Sequence, residues 1–134
     1  MKANELMIGD WVYNKYIDKP MQVYPMMLSQ MFRSHPDATT EDYNIFPIPL
    51  TPEILEKNGF ENAGVVIIGT RKMRWVSDDA RTEITIWMDD TLPMEIVKNI
   101  YYEDEVSYTL PFPGTVSQLQ HALRLCGIEK EIVL

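Results

Sequence analysis

Between Ile45 and Phe60 the chain reads IFPIPLTPEILEKNGF, and nearly every position of that run is committed to one local structure. Thr51 stands where an N-cap hydroxyl belongs, and Pro52 follows at the first helical position, where its missing N–H is no loss. Glu53 sets a negative charge against the positive end of the helix dipole. Gly59 supplies a left-handed residue to stop the helix, and Phe60 is spaced to fold back on Leu55. Leu50, before the cap, is spaced to pack on the same Leu55 as a hydrophobic staple. A chain with this signal must place a short helix after a short extended run. The run specifies folding and contains no chemistry.

A second helix is marked as clearly near the C-terminus. Thr115 and Gln118 have capping-box spacing at the start of a helix from Val116 to Cys126. Val116, Leu119, Ala122, Leu123 and Cys126 form one apolar stripe, with Gly127 and Ile128 repeating the C-terminal device.

The remaining elements read as strands and turns. Trp11–Tyr13 and Met21–Tyr24 suggest a hairpin across the polar break Asn14–Pro20. Leu28, Met31 and Phe32 have helical spacing after Pro25, and Arg33–Asn44 reads as an aperiodic polar loop. Glu61–Gly64 reads as a turn, Val65–Ile68 and Lys72–Val76 as strands, and Ser77-Asp78-Asp79 as a tight turn. On the Lys72–Val76 strand, Met73 and Trp75 share one face and Lys72 and Arg74 the other. Thr82–Met88 is an amphipathic strand with Ile84, Ile86 and Met88 inward and Glu83 and Thr85 outward. Met94–Tyr102 fits a helix slightly better than a strand, Val106–Leu110 reads as a strand, and Ile132–Leu134 as a final edge strand. The expected fold is α+β in a single domain over 1–134: a mostly antiparallel β-sheet or small SH3-like barrel packed by two capped α-helices.

Composition narrows the function classes. The formal net charge is −8, so the chain lacks the long-range attraction that drives non-specific nucleic-acid binding. No apolar run approaches the ~20 residues of a membrane helix. The N-terminal segment lacks the apolar core of a signal peptide, which points to a cytoplasmic protein. Cys126 is the single cysteine, which leaves no disulfide framework and no cysteine-based zinc site.

Residues with chemical potential are scattered. Asp78-Asp79 and Asp89-Asp90 pair hard oxygen ligands, but both fall at predicted turns and neither has EF-hand spacing. His35 precedes Pro36 in a loop, and His121 lies off the apolar stripe of the last helix, with no second metal-ligating residue at zinc spacing. Cys126 falls on that stripe, where a thiol acts as a small hydrophobe. No glycine-rich phosphate loop is present. No catalytic, cofactor or metal residue is therefore assigned. Two surfaces are left. One is the methionine-rich segment with Met26, Met27 and Met31, which fits either an irregular core or an adaptable binding groove. The other is a basic and aromatic patch, Arg71, Lys72, Arg74 and Arg81 with Trp75, which fits either a solvated strand face or a stacking surface for single-stranded nucleic acid.

Three motifs together carry a resemblance. The opening NELMIGDWV, the central PIPLTPEILEKNGF and the closing SQLQHALRLCGIEKEI are similar, in the same order, to N-E-L-R-I-G-N-W-V, a nearly identical centre and H-x-L-Q-N-L-Y-x-A-L-T-G-E-E-L. Those patterns belong to a family of small proteins of Bacteroides-type bacteria and their prophages or other mobile elements. Ser117 stands where that family has histidine, and Leu125-Cys126 where it has a Leu-Thr pair. The resemblance implies a cytoplasmic setting and a mobile-element origin, and brings no catalytic residue.

The leading expectation is a non-enzymatic protein-interaction module, an accessory protein of a phage or mobile element, acting on an unidentified protein partner. It needs no cofactor and no membrane, and a homo-oligomer is compatible with it. Two alternatives stay open: a small-molecule or metal-dependent enzyme with a dispersed site, and weak nucleic-acid binding through Arg71–Arg81.

Overall fold

The Thr51 hydroxyl accepts the Ile54 N–H at 3.3 Å, with Pro52 at the first position of a helix that runs Pro52–Lys57. Gly59 has φ +87°, its N–H reaches the Glu56 carbonyl at 3.1 Å, and the Phe60 N–H reaches the Leu55 carbonyl at 3.0 Å. These two bonds are the Schellman pair, and Leu50, Leu55 and Phe60 are all buried around it. The C-terminal helix, Val116–Leu125, begins with the expected reciprocal box: Thr115 N–H to Gln118 Oε1 at 2.9 Å and Gln118 N–H to Thr115 Oγ1 at 3.2 Å. It ends in the same device, with Gly127 at φ +72° and the Ile128 N–H on the Leu123 carbonyl at 2.9 Å. All five residues of its apolar stripe are buried.

The computed structural model describes residues 5–34, 39–67, 70–78, 82–89, 94–100, 106–110 and 114–134. The fold is α+β with antiparallel sheets, and no closed barrel is found among the described residues. The chain divides into two compact units, Met1–Pro49 with Thr115–Gln120, and Leu50–Gly114 with His121–Leu134.

The first unit carries a three-stranded sheet in the order β2-β1-β3, from β1 (Trp11–Asn14), β2 (Lys19–Gln22) and β3 (Ile45–Pro47). The β1–β2 hairpin agrees with the sequence reading, except that β2 starts at Lys19 and ends before Val23. Pro20 is accommodated because β2 is an edge strand. The Val23 N–H pairs with the Asp10 carbonyl and the Gly9 N–H with the Val23 carbonyl, both at 2.8 Å, so the Gly9-Asp10 turn caps the sheet. The buried Asp10 carboxylate closes that turn by accepting the Met7 N–H at 2.7 Å. Gln120 locks the next residues, accepting the Trp11 N–H at 2.8 Å and donating to the Gly9 carbonyl at 3.0 Å. Helix α1 spans Pro25–Ser34. Among its described side chains Met27 and Met31 are buried and Leu28 is half-buried, and Leu6, Val12, Val23, Met27, Met31 and Ile45 form a core cluster of the unit. The reading of Arg33–Asn44 as an aperiodic loop is corrected at both ends: Arg33 and Ser34 complete α1, and Thr40–Tyr43 is a 3-10 turn. The Asp42 carboxylate holds that turn by accepting the Thr39 N–H at 3.2 Å, and Asn44 stops it at φ +56°.

The second unit contains the capped helix Pro52–Lys57, here α2, and a five-stranded meander. Its strands are β4 (Glu61–Ile67), β5 (Thr70–Val76), β6 (Thr82–Asp89), β7 (Met94–Ile100) and β8 (Val106–Leu110), neighbours in chain order. Four expectations are corrected here. Glu61–Gly64 is strand rather than turn, because Gly64 at φ +82° makes a bulge between Asn62 and Val65 and pairing with β5 continues past it. Met94–Ile100 is strand rather than helix. Ile96, Val97 and Ile100 satisfy both periods, and β6 and β8 on either side decide for the sheet. Thr85 is buried rather than outward, being flanked by Arg74 and Val97 on the adjacent strands. The tail 132–134 forms no strand. The Asn58 side-chain amide grips Val133 instead, donating to its carbonyl and accepting its N–H, both at 2.7 Å. No described helix is long and apolar enough to cross a membrane.

Candidate functional site

Alternation along β5 divides the basic and aromatic patch. Register pairs Arg71 with Met88, Met73 with Ile86 and Trp75 with Ile84 on one face, and Lys72 with Trp87 and Arg74 with Thr85 on the other. Arg71 and Trp75 therefore back onto buried Met73, Ile84 and Ile86, while Lys72 and Arg74 point the opposite way. The Arg74 guanidinium forks onto Glu83, with Nε to Oε1 at 2.8 Å and Nη2 to Oε2 at 3.1 Å. Those hydrogen bonds hold the Glu83 carboxyl below the usual carboxylate range against the opposing effect of burial, with help from the Arg74 and Lys72 charges and the Thr85 hydroxyl. The Lys72 ammonium lies 5.5 Å from the centroid of the Trp87 ring, and Lys130 lies 5.2 Å from that of Trp75. Each cation seen here except Arg71 is thus engaged inside the second unit. Arg81 lies outside the described residues.

The acidic pairs gain nothing from the fold. Asp78 is exposed in the β5–β6 turn, which is closed by Ser77 N–H to the Thr82 carbonyl at 2.9 Å and Thr82 N–H to Ser77 Oγ at 3.0 Å. Asp79, Asp90 and His35 lie outside the described residues, as does the side chain of Asp89. His121 is half-buried on the last helix, and Cys126 is buried and in no disulfide. Among the described residues no three His, Cys, Asp or Glu side chains come together as a metal site.

The methionine-rich segment is where the first unit opens. A groove of about 430 Å³ is lined by Asn14, Met21, Tyr24, Met27, Gln30, Met31, Tyr43 and Ile45. Met27, Gln30 and Met31 reach it from one face of α1, at i, i+3 and i+4. Asn14 and Met21 come from the β1–β2 hairpin, where the Asn14 amide donates to the Met21 sulfur at 3.2 Å. Tyr43, from the 3-10 turn, donates to the Met31 carbonyl at 3.5 Å, and Ile45 begins β3. Every lining side chain is uncharged. The volume lies within the range of ligand pockets, and three thioethers make the lining soft and adaptable. Met27 and Met31 are buried core residues that also line the groove. Met26 points elsewhere and is 67% exposed.

The hairpin next to this groove carries a second feature that sequence reading passed over. Its tip, Lys15–Asp18, presents Tyr16 at 81% and Ile17 at 50% exposure. The tip is nonetheless ordered. Asn14 Oδ1 accepts the Tyr16 N–H at 2.9 Å, the Lys15 N–H reaches the Asn44 carbonyl at 2.9 Å, and the Tyr13 hydroxyl donates to Asp18. Asp18 takes the left-handed φ of +52° and the Lys15 ammonium lies 5.8 Å from the centroid of the Phe46 ring. The available signal was an aromatic and a β-branched residue in a turn, where Gly, Asn or Asp are the usual occupants.

Comparison of the chain with protein-family models, with curated proteins and with solved structures gives no match.

Proposed function

We propose that this chain is a non-enzymatic protein-interaction module whose receptor site is the methionine-lined groove of the first unit, in keeping with an accessory protein of a phage or other mobile element. The observation that carries this reading is the lining itself: three methionines, two tyrosines, an isoleucine and two amides around about 430 Å³, with no ionisable carboxylate, amine or imidazole among them. Such a lining offers an apolar anchor somewhere to bury, with amides and phenols to orient the backbone that carries it. It offers no acid, base or nucleophile stronger than a phenol. Methionine's three rotatable bonds let the walls repack around anchors of different shape. The nucleic-acid alternative is weakened by the division of Arg71 and Trp75 from Lys72 and Arg74 across the sheet and by the Arg74–Glu83 pair.

The test is selection of binders from a random-peptide library, followed by NMR of the chain labelled at the methionine methyls. Bound peptides should carry an apolar anchor and shift Met21, Met27 and Met31, leaving Met73 and Met88 in place. Peptides that move only Met73 or Met88, or a selection that yields no binder, would overturn the reading.

A further inference from the structure

We propose that the occupant of the groove is the Tyr16-Ile17 hairpin tip of a second copy of this chain, exchanged reciprocally in a two-fold dimer. The inference rests on the groove being a receptor for an apolar anchor and names that anchor.

The tip has the properties of a binding anchor. Tyr16 is the most exposed aromatic side chain among the described residues of the first unit, half-exposed Ile17 stands beside it, and the backbone of the tip is already fixed by the Asn14, Asn44 and Tyr13–Asp18 contacts. Little ordering entropy is left to lose when such a tip is buried. Tyrosine is also among the residues that dominate interface energetics, burying a large area at the expense of two side-chain torsions.

Charge favours this occupant. Lys15 and Lys19 flank the tip, and Asp18 between them is turned back to Tyr13. Beside the groove, Tyr43 is preceded by Asp42, whose carboxylate holds the Thr39 N–H and keeps its negative charge next to the lining. A tip entering beside that residue brings a lysine toward the Asp42 carboxylate, and the groove lining opposes it with no charge of its own.

Symmetry makes the exchange self-consistent. Asn14 lines the groove, and the tip begins at the next residue, so knob and hole are adjacent on one surface. An isologous contact then seats both tips at once and closes the assembly as a dimer rather than a fibre. The area sets the strength. A buried tyrosine contributes roughly 150–250 Å². Two tips with their isoleucines remain below the ~1,200 Å² of a stable interface, so the dimer should be weak and concentration-dependent.

Sedimentation velocity over a wide concentration range tests this with three chains. The native chain should associate reversibly. The tip variant Tyr16→Ser/Ile17→Ser and the groove variant Gln30→Trp, whose substitution fills the groove from an exposed helix position, should each raise the dissociation constant at least about tenfold. An equimolar mixture of the two variants should regain association, because an intact tip again meets an intact groove. A native chain that stays monomeric throughout, a tip variant that associates as tightly as native, or a mixture that gains nothing would each overturn the proposal. Failure of the groove reading is seen separately. Where association fails in one of those ways but the chains still bind selected peptides at Met21, Met27 and Met31, the groove stands with another occupant; absence of peptide binding in both the tip variant and the native chain removes both readings.

Discussion

Asn58 commits its whole amide. One N–H reaches the Ile54 carbonyl at 2.8 Å as the last residue of α2 turns, the other reaches the Val133 carbonyl, and its oxygen takes the Val133 N–H. The side chain is buried, so each of these bonds replaces one that water would otherwise make. In effect the amide acts as one residue of a strand for a tail that has no strand to join. Asn58→Ala should lower stability by about 2–3 kcal/mol, three bonds at roughly 1 kcal/mol each, with some recovery where exposed Val133 rehydrates. Asn58→Asp should recover only part of that loss, because a carboxylate can hold the Val133 N–H but cannot donate to either carbonyl. Urea midpoints at unchanged slope measure both. An alanine variant within about 0.5 kcal/mol of native would show that the clamp contributes nothing.

At the scale of elements, what was legible in the sequence was what is local. Thr51-Pro52, Thr115 with Gln118, and the glycines with their following apolar residues are complete within one turn, and all of them form as spaced. Gly127→Val tests that logic directly. No atom beyond the immediate chain lies within 4 Å of where its Cβ would sit, so the φ of +72° is the main penalty, about 1–2 kcal/mol. Gly127→Asn should lose less, since asparagine tolerates that region. Gly59→Val should lose more than Gly127→Val, because its Cβ would already touch the Trp75 ring at 3.6 Å and the valine methyls reach further. Equal stability of Gly127→Val and the native chain in a melt would remove the cap assignment. What was not legible depends on partners distant in sequence. β7 fits two periods until β6 and β8 choose one, Thr85 is covered by neighbours on other strands, and the tail is held by a residue 75 positions away. The groove was half legible for the same reason: α1 announces itself by composition, whereas Asn14, Tyr43 and Ile45 come from three other segments.

The β5–β6 pair adds a pH dependence with a definite sign. Arg74 hydrogen bonds lower the folded pKa of Glu83, so the contribution of the pair is complete above the ordinary glutamate value, about 4.3. It is lost as pH falls below that value through the depressed folded pKa. The stability difference between the native chain and Arg74→Met should therefore be largest at neutral pH and shrink toward pH 3. A difference that is flat with pH would mean that the fork makes no electrostatic contribution.

For the whole molecule, charge and geometry act in the same direction. A chain of net charge −8 repels a phosphate backbone beyond the range of local contacts. Any nucleic-acid affinity would then have to come from a local cluster strong enough to overcome that field. The one cluster that the sequence offers is divided by the pleat of β5, with Lys72 turned to Trp87, Arg74 forked to Glu83 and Trp75 under Lys130. A stacking surface needs several cationic and aromatic groups on one face, free to follow a strand; on β5 only Arg71 shares the face of Trp75, while Lys72 and Arg74 lie on the other and are already engaged. Fluorescence anisotropy with a labelled single-stranded oligonucleotide at 50 mM salt should show no binding, and Arg74→Glu should leave that result unchanged. A salt-sensitive rise that Arg74→Glu abolishes would mean that the Arg74–Glu83 fork opens to phosphate, and would overturn this account of the sheet.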